Sequence, residues 1–349
     1  MIGAAFGVVV GVATLGWAVR RVVGLLCNLL HRPEAATGDP ILAALLDEHT
    51  SRHTRRLGVA VVESAADTPV GVATVAATPE SVFEIGSISK ALTGMLIADA
   101  AQRGELDLAD RVATHLPELA RRPVGDCTIG ELGSHTSGLP RLALGPRALL
   151  QVFGLVVVGL NPYAGQGVSF VIRGAARARL RTRGRKAYSN LGAALAGAVL
   201  ERATGSSYPD LVRDRIVNPL GLTHTSADHR APRATGHTKA GEWARPWRMT
   251  GYAPAGGVTS SLADLATVAR ALLAGTAPGI GSLDRDDCFW VRERGAAGGP
   301  VVWHNGETGG YAAYLGLRPE AGRAVIVLAD VADMSLIMRL TQAIGAPAR

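Results

Sequence analysis

Apolar positions recur along this chain with two different periods, and the changes of period predict where its layers lie. Leu57–Glu63 and Pro69–Ala76 are β-branched runs around a turn-rich gap, which predicts a hairpin. Strand patterns return only near the other end, at Phe289–Arg292, Val301–His304, Tyr311–Arg318 and Ala324–Asp330. Between them the period is helical, at Ala91–Gln102, Leu191–Thr204, Asp210–Val217 and Ser261–Leu273. One helix near Ile41–His53 precedes the first strand, and another from Ala332 to Ile344 follows the last. Strands at both ends and helices in the middle predict an α/β chain of the α+β type. One mixed sheet would be assembled from both termini, with a helical region inserted.

The first segment has a different pattern. Ile2–Val19 is uncharged, carries Gly3, Gly7 and Gly11 at four-residue spacing, and ends in Trp17 and Arg20-Arg21. That reads as a membrane-spanning helix with interfacial anchors. No basic region precedes it, so a cleavable signal peptide fits less well. Residues 1–32 are therefore expected to be a hydrophobic anchor touching membrane lipid, 33–40 a linker and 41–345 the main domain. Arg20-Arg21 would hold the following chain in the cytoplasm by the positive-inside rule, unless the true start lies upstream of Met1. A second apolar run, Ala148–Leu160, is too short to span a bilayer. The arginines from Arg173 to Arg185 follow it, so the pair reads either as a membrane-surface patch or as a core helix beside a solvated face.

Composition narrows the function classes. Of 349 residues, 48% are hydrophobic and 19% charged, enough for a large core. The net charge of +7 is carried almost wholly by arginine, with no nucleic-acid-binding motif beside it. Cys27, Cys127 and Cys288 have no metal-ligand spacing, and the sequence does not say whether Cys127 and Cys288 pair. His49 and His53 are four apart but lack a third ligand, so no metal site is predicted.

Candidate chemistry centres on Phe83-Glu84-Ile85-Gly86-Ser87-Ile88-Ser89-Lys90. On a helix, Ser87 and Lys90 at i and i+3 share one face. A serine needs a base to become a nucleophile, and a desolvated lysine can serve. Lysines are scarce, only Lys90, Lys186 and Lys239, and only Lys90 has a serine three before it. Tyr188 and Asn190 open the next helical run, where a phenol can relay a proton and an amide can grip a carbonyl. The alternative is a packed tyrosine and a helix cap. Further on, His304-Asn305-Gly306-Glu307 reads as a glycine-bearing strand edge that can offer an N–H to an oxyanion, or as a plain strand end. His135, within Ser134-His135-Thr136-Ser137-Gly138, reads as a hydrogen-bonded turn rather than a catalytic base.

The ordered set Ser-x-x-Lys, Tyr-x-Asn and His-x-Gly, with the flanking Pro254-Ala255-Gly256-Gly257-Val258, resembles the serine β-lactamase and penicillin-binding-protein superfamily, in its class C-related group. The resemblance spans about Ile41–Ile344. It implies the β-lactamase/DD-peptidase fold, with an antiparallel five-stranded sheet flanked by helices and an all-helical region. It also implies a hydrolase that forms an acyl-enzyme on Ser87, with Lys90 as base and Tyr188 handling the leaving-group proton. Asn190 would contact a substrate amide, His304 and Gly306 would form the third motif, and the backbone N–H groups of Ser87 and Glu307 the oxyanion hole. No cofactor is implied. The substrate would be a small-molecule or peptidoglycan-like ester or amide, met by a membrane-held, extracytoplasmic domain. Histidine stands at 304 where many members have lysine, which favours an esterase or D-amino-acid peptidase over a β-lactamase or carboxypeptidase. The alternative is a catalytically silent protein that binds peptidoglycan or lipid.

Overall fold

The computed structural model describes residues 2–64, 71–143, 161–231, 233–295 and 299–345, with side chains from residue 15 onward. Seven strands build one sheet: β1 (Thr37–Gly38), β2 (Leu57–Glu63), β3 (Gly71–Val75), β4 (Val291–Arg294), β5 (Pro300–Glu307), β6 (Ala312–Arg318) and β7 (Arg323–Ala329). Their order is β1-β3-β2-β7-β6-β5-β4, antiparallel throughout. The sheet is thus wider than the five strands that the family resemblance implied. All six strands read from the apolar pattern are in it, and the seventh is β1, in the stretch read as a linker. A two-residue edge strand carries no periodicity to read.

The central strands are apolar on both faces because both faces are covered. On β2 and β7, Leu57, Val59, Val61, Val325 and Val327 pack against helices α2 (Pro40–His49) and α6 (Met334–Ala343). The alternate residues Ala60, Val62, Ile326 and Leu328 face the larger core, with α3 (Ser89–Gln102), α4 (Asn190–Thr204) and α5 (Leu262–Leu273). Asp39 starts α2 by accepting from the N–H groups of Ile41 and Leu42, at 3.1 and 3.0 Å. Helix α3 is buried on nearly every side, so its sequence has almost no amphipathic stripe.

Helix α1 (Ile2–Leu30) lies against the domain at its C-terminal end. Arg20 and Arg21 pair with Glu242 at 3.6 and 3.3 Å, and Asn28 donates to the His53 ring at 2.9 Å. Leu15, Val19, Val22, Leu26 and Leu29 remain exposed along one side. Among the described residues, no helix is long and apolar enough to cross a membrane. The Ala148–Leu160 run lies outside the described residues. Cys127 and Cys288 are both buried free thiols.

A buried ion pair braces the entry to α3. Residues Val82–Glu84 pair with Thr259–Ser261, and Glu84 meets Arg233 at 3.4 Å with both side chains almost fully buried. Glu84 accepts from Trp247 N at 2.6 Å, while Arg233 donates to the carbonyls of Trp247 and Gly257 at 2.9 and 2.8 Å. The pair therefore ties the 247–257 loop to the strand that leads into Ser87. Arg233→Met should lower stability by about 3–5 kcal/mol in urea unfolding, because Glu84 would stay buried without its partner. The double change Glu84→Gln, Arg233→Met should recover much of that loss.

Candidate active site

Ser87 sits in a single 3-10 turn, Gly86–Ile88, that feeds directly into α3. Gly86 makes the entry with φ at 50°, a backbone region that side-chain-bearing residues avoid. Space demands glycine too. A Cβ on Gly86 would lie 2.6 Å from Glu307 N, and one on Gly306 would lie 1.9 Å from Ile85 O. The two glycines let the Ser87 turn and the edge of β5 touch backbone to backbone. Strand β4 pairs β5 only from Pro300 to Trp303, so the stretch from His304 to Glu307 has β6 on one side and no strand on the other.

Three elements converge on the Ser87 hydroxyl. Lys90 Nζ lies 3.0 Å from Ser87 Oγ and donates to the Ala255 carbonyl at 2.5 Å. The Tyr188 hydroxyl donates to Ser87 Oγ at 2.6 Å. Lys90 has no exposed surface, and burial, followed by the charge of Arg141, holds its pKa well below the ordinary 10.5. A lowered pKa favours the neutral amine, whose lone pair can take a proton from a hydroxyl at that distance. Desolvation of the Tyr188 hydroxyl pushes its pKa up to about 12, so at neutral pH it is a proton donor.

Asn190 begins α4, with Ser189 as its cap accepting from Gly192 N at 2.8 Å. Its amide donates to the Tyr163 hydroxyl at 3.0 Å, while its buried Oδ1 has no partner among the described residues. Ser87, Asn190 and Glu307 share a cavity of about 420 Å³ whose walls include Arg141, Tyr163, Trp247 and Thr308. An orphaned acceptor in such a cavity suits a substrate N–H.

His304 is not on that wall. It lines a smaller space with His135 behind Tyr188, and its Nδ1 is 2.6 Å from the Asn305 carbonyl. Burial above all lowers its pKa to about 3, so it carries no charge at pH 7. His135 is the turn residue that its setting predicts, with φ at 61°. Its ring accepts from Ser189 N at 3.3 Å and its carbonyl from Ala187 N at 2.8 Å, so it holds the Tyr188 segment on both sides. Its own pKa is lowered to about 3, mainly by burial.

Sequence reading missed Tyr163, Trp247, Thr308 and Arg141, which lie in loops without a periodic pattern, and the Ala255 carbonyl, which is backbone. Thr308 directly follows the His304–Glu307 motif, Ala255 lies within Pro254–Val258, and Arg141 follows Gly138-Leu139-Pro140; Tyr163 and Trp247 stand near no motif.

The family model described as Beta-lactamase matches residues 39–336. The chain belongs to the β-lactamase family. It is 28% identical over 304 residues to Penicillin-binding protein 4 of Amycolatopsis lactamdurans, covering 73% of this chain and 74% of that protein. Its match to the Beta-lactamase of Escherichia coli (strain K12) is 28% identical over 153 residues, covering 42% of this chain and 35% of that protein. The D-alanine carboxypeptidase AmpC structure from Burkholderia cenocepacia superposes with a TM-score of 0.68 at 23% identity, covering 87% of this chain and 95% of that one. The β-lactamase/DD-peptidase fold, implied by the family resemblance, is thus the fold observed, and β-lactamase-family members with it are hydrolases.

Two outcomes test the electrostatics of Lys90. Lys90→Met should raise the thermal midpoint at pH 7, because it removes an amine whose protonation folding opposes. The sign follows from linkage. The folded pKa lies below the unfolded one, so wild-type stability climbs with pH between the two and the gain from Lys90→Met shrinks toward pH 10. In the wild type, the rate of Ser87 acylation should fall on acidification with a midpoint well below 10.5.

Proposed function

We propose that the protein is a serine hydrolase that passes through an acyl-enzyme on Ser87. The observation that carries this reading is the convergence of Lys90 Nζ and Tyr188 Oη on Ser87 Oγ, at 3.0 and 2.6 Å. Lys90 takes the serine proton as Ser87 Oγ attacks the carbonyl of an ester or amide. The N–H groups of Ser87 and Glu307 stabilise the resulting oxyanion. Tyr188 gives its proton to the departing group and regains one from Lys90. Water then attacks the acyl-enzyme by the same route in reverse and restores Ser87. Asn190 Oδ1 receives an N–H of the substrate's acyl part.

The neutral, withdrawn His304 supplies no cation where a substrate carboxylate would need one beside β5. This supports an esterase or D-amino-acid peptidase over a β-lactamase or carboxypeptidase. We also propose that α1 rests on a lipid surface. The support is the exposed row Leu15, Val19, Val22, Leu26 and Leu29, next to arginines already engaged by Glu242.

A fluorophosphonate or a labelled penicillin should mark the wild type covalently, and Ser87→Ala should abolish the mark. Label that survives this substitution would refute the assignment. Turnover of a short-chain p-nitrophenyl ester should exceed that of nitrocefin. Removing residues 1–32 should move the protein from the pellet to the supernatant in sedimentation with anionic vesicles.

A further inference from the structure

A second and larger cavity, about 580 Å³, lies on the other side of Tyr188 from Ser87. Its walls include Leu139, Arg141, Arg177, Arg179, Arg181 and Tyr188, and Arg141 also lines the Ser87 cavity, so the two spaces share a wall. Several arginines elsewhere are paired, Arg103, Arg183, Arg213, Arg215 and Arg285 each meeting a carboxylate within 3.2 Å, while others stand singly on the surface; here four gather round one cavity. Arg141, Arg177, Arg179 and Arg181 have no ion pair among the described residues. Residues 144–160, outside that set, contain no Asp or Glu.

Arg141 is not loose at its root. Its carbonyl accepts from the N–H groups of Asn190 and Leu191, at 3.1 and 3.2 Å, which fixes it to the start of α4. Its guanidinium stands over the Tyr188 ring, 5.7 Å from the centroid. Glu307 feels its charge from across the Ser87 cavity without forming an ion pair with it. Four like charges round one cavity repel each other, and an anionic ligand relieves that repulsion. Guanidinium groups suit carboxylate and phosphate alike.

We infer that the substrate carries negative charge, carboxylate or phosphate, beyond the reacting ester or amide, and that Arg141 grips it, with Arg177, Arg179 and Arg181 holding its extension. This deepens the hydrolase reading and rests on it. The anion site lies on the helical side of the cleft, opposite the strand edge where His304 stands uncharged.

Two aryl esters test this, one with a free carboxylate at the end of the acyl chain and one with it on the phenol. Each is compared with a neutral ester of equal length. The wild type should favour at least one charged ester by about ten-fold or more in kcat/KM. Arg141→Gln should remove most of that preference, Arg141→Lys should keep part of it, and added salt should shrink it. No preference for either charged ester, or a preference that Arg141→Gln leaves intact, overturns the inference. Fluorophosphonate labelling of the same proteins separates this failure from failure of the hydrolase reading. Binding by Ser87→Ala gives a readout that needs no turnover. Inorganic tripolyphosphate or citrate should bind saturably, and Arg141→Gln, Arg179→Gln should weaken it about ten-fold. The tighter of the two probes distinguishes phosphate from carboxylate; saturable binding of neither overturns the inference.

Discussion

Lys90 is a lysine with no exposed surface, lying 3.0 Å from a serine hydroxyl, and the rest of the site is built round holding it there with its basicity lowered by burial. Water would restore its ordinary basicity. The protein excludes water with α3, which is buried on nearly every side, and gives the amine one carbonyl to bond, that of Ala255. Stability is given up for reactivity, since a buried amine is a poor core residue.

The surrounding architecture follows from that constraint. A sheet apolar on both faces needs helices on both faces, and the larger layer supplies α3 and α4. Helix α4 begins at Asn190, and His135 holds the 187–189 segment that points Tyr188 at Ser87. Gly86 and Gly306 bring the sheet edge within backbone contact of the Ser87 turn. The Glu84–Arg233 pair locks the loop carrying Trp247 to the same strand. Each device acts on position, and the reactive groups themselves are few.

Charge is distributed unevenly round the cleft. On the strand side His304 is neutral, and the Glu307 carboxyl has its pKa pushed up by burial and by Asp333. On the helical side stand arginines without carboxylate partners among the described residues. An anionic group therefore meets no cation from His304 near β5, and meets arginines near the start of α4.

Local chemistry was legible in the sequence by itself. Ser87 and Lys90 share a face because helix geometry dictates it, the strands show in their β-branched runs, and the three short motifs together point to one family. The apolar pattern also located all six of its predicted strands, because burial on one or both faces selects residue type directly. Tertiary structure alone decided the rest. The edge strand Thr37–Gly38 is too short to have a period. His304 sits behind Tyr188 rather than on the Ser87 cavity, since a motif orders residues along the chain but not which wall they line. Arg141 reads in sequence as one arginine among many; only folding sets it beside Tyr188 and the Ser87 cavity, with no ion-pair partner among the described residues. Burial and pairing depend on contacts between segments far apart in the chain, and no local pattern records them.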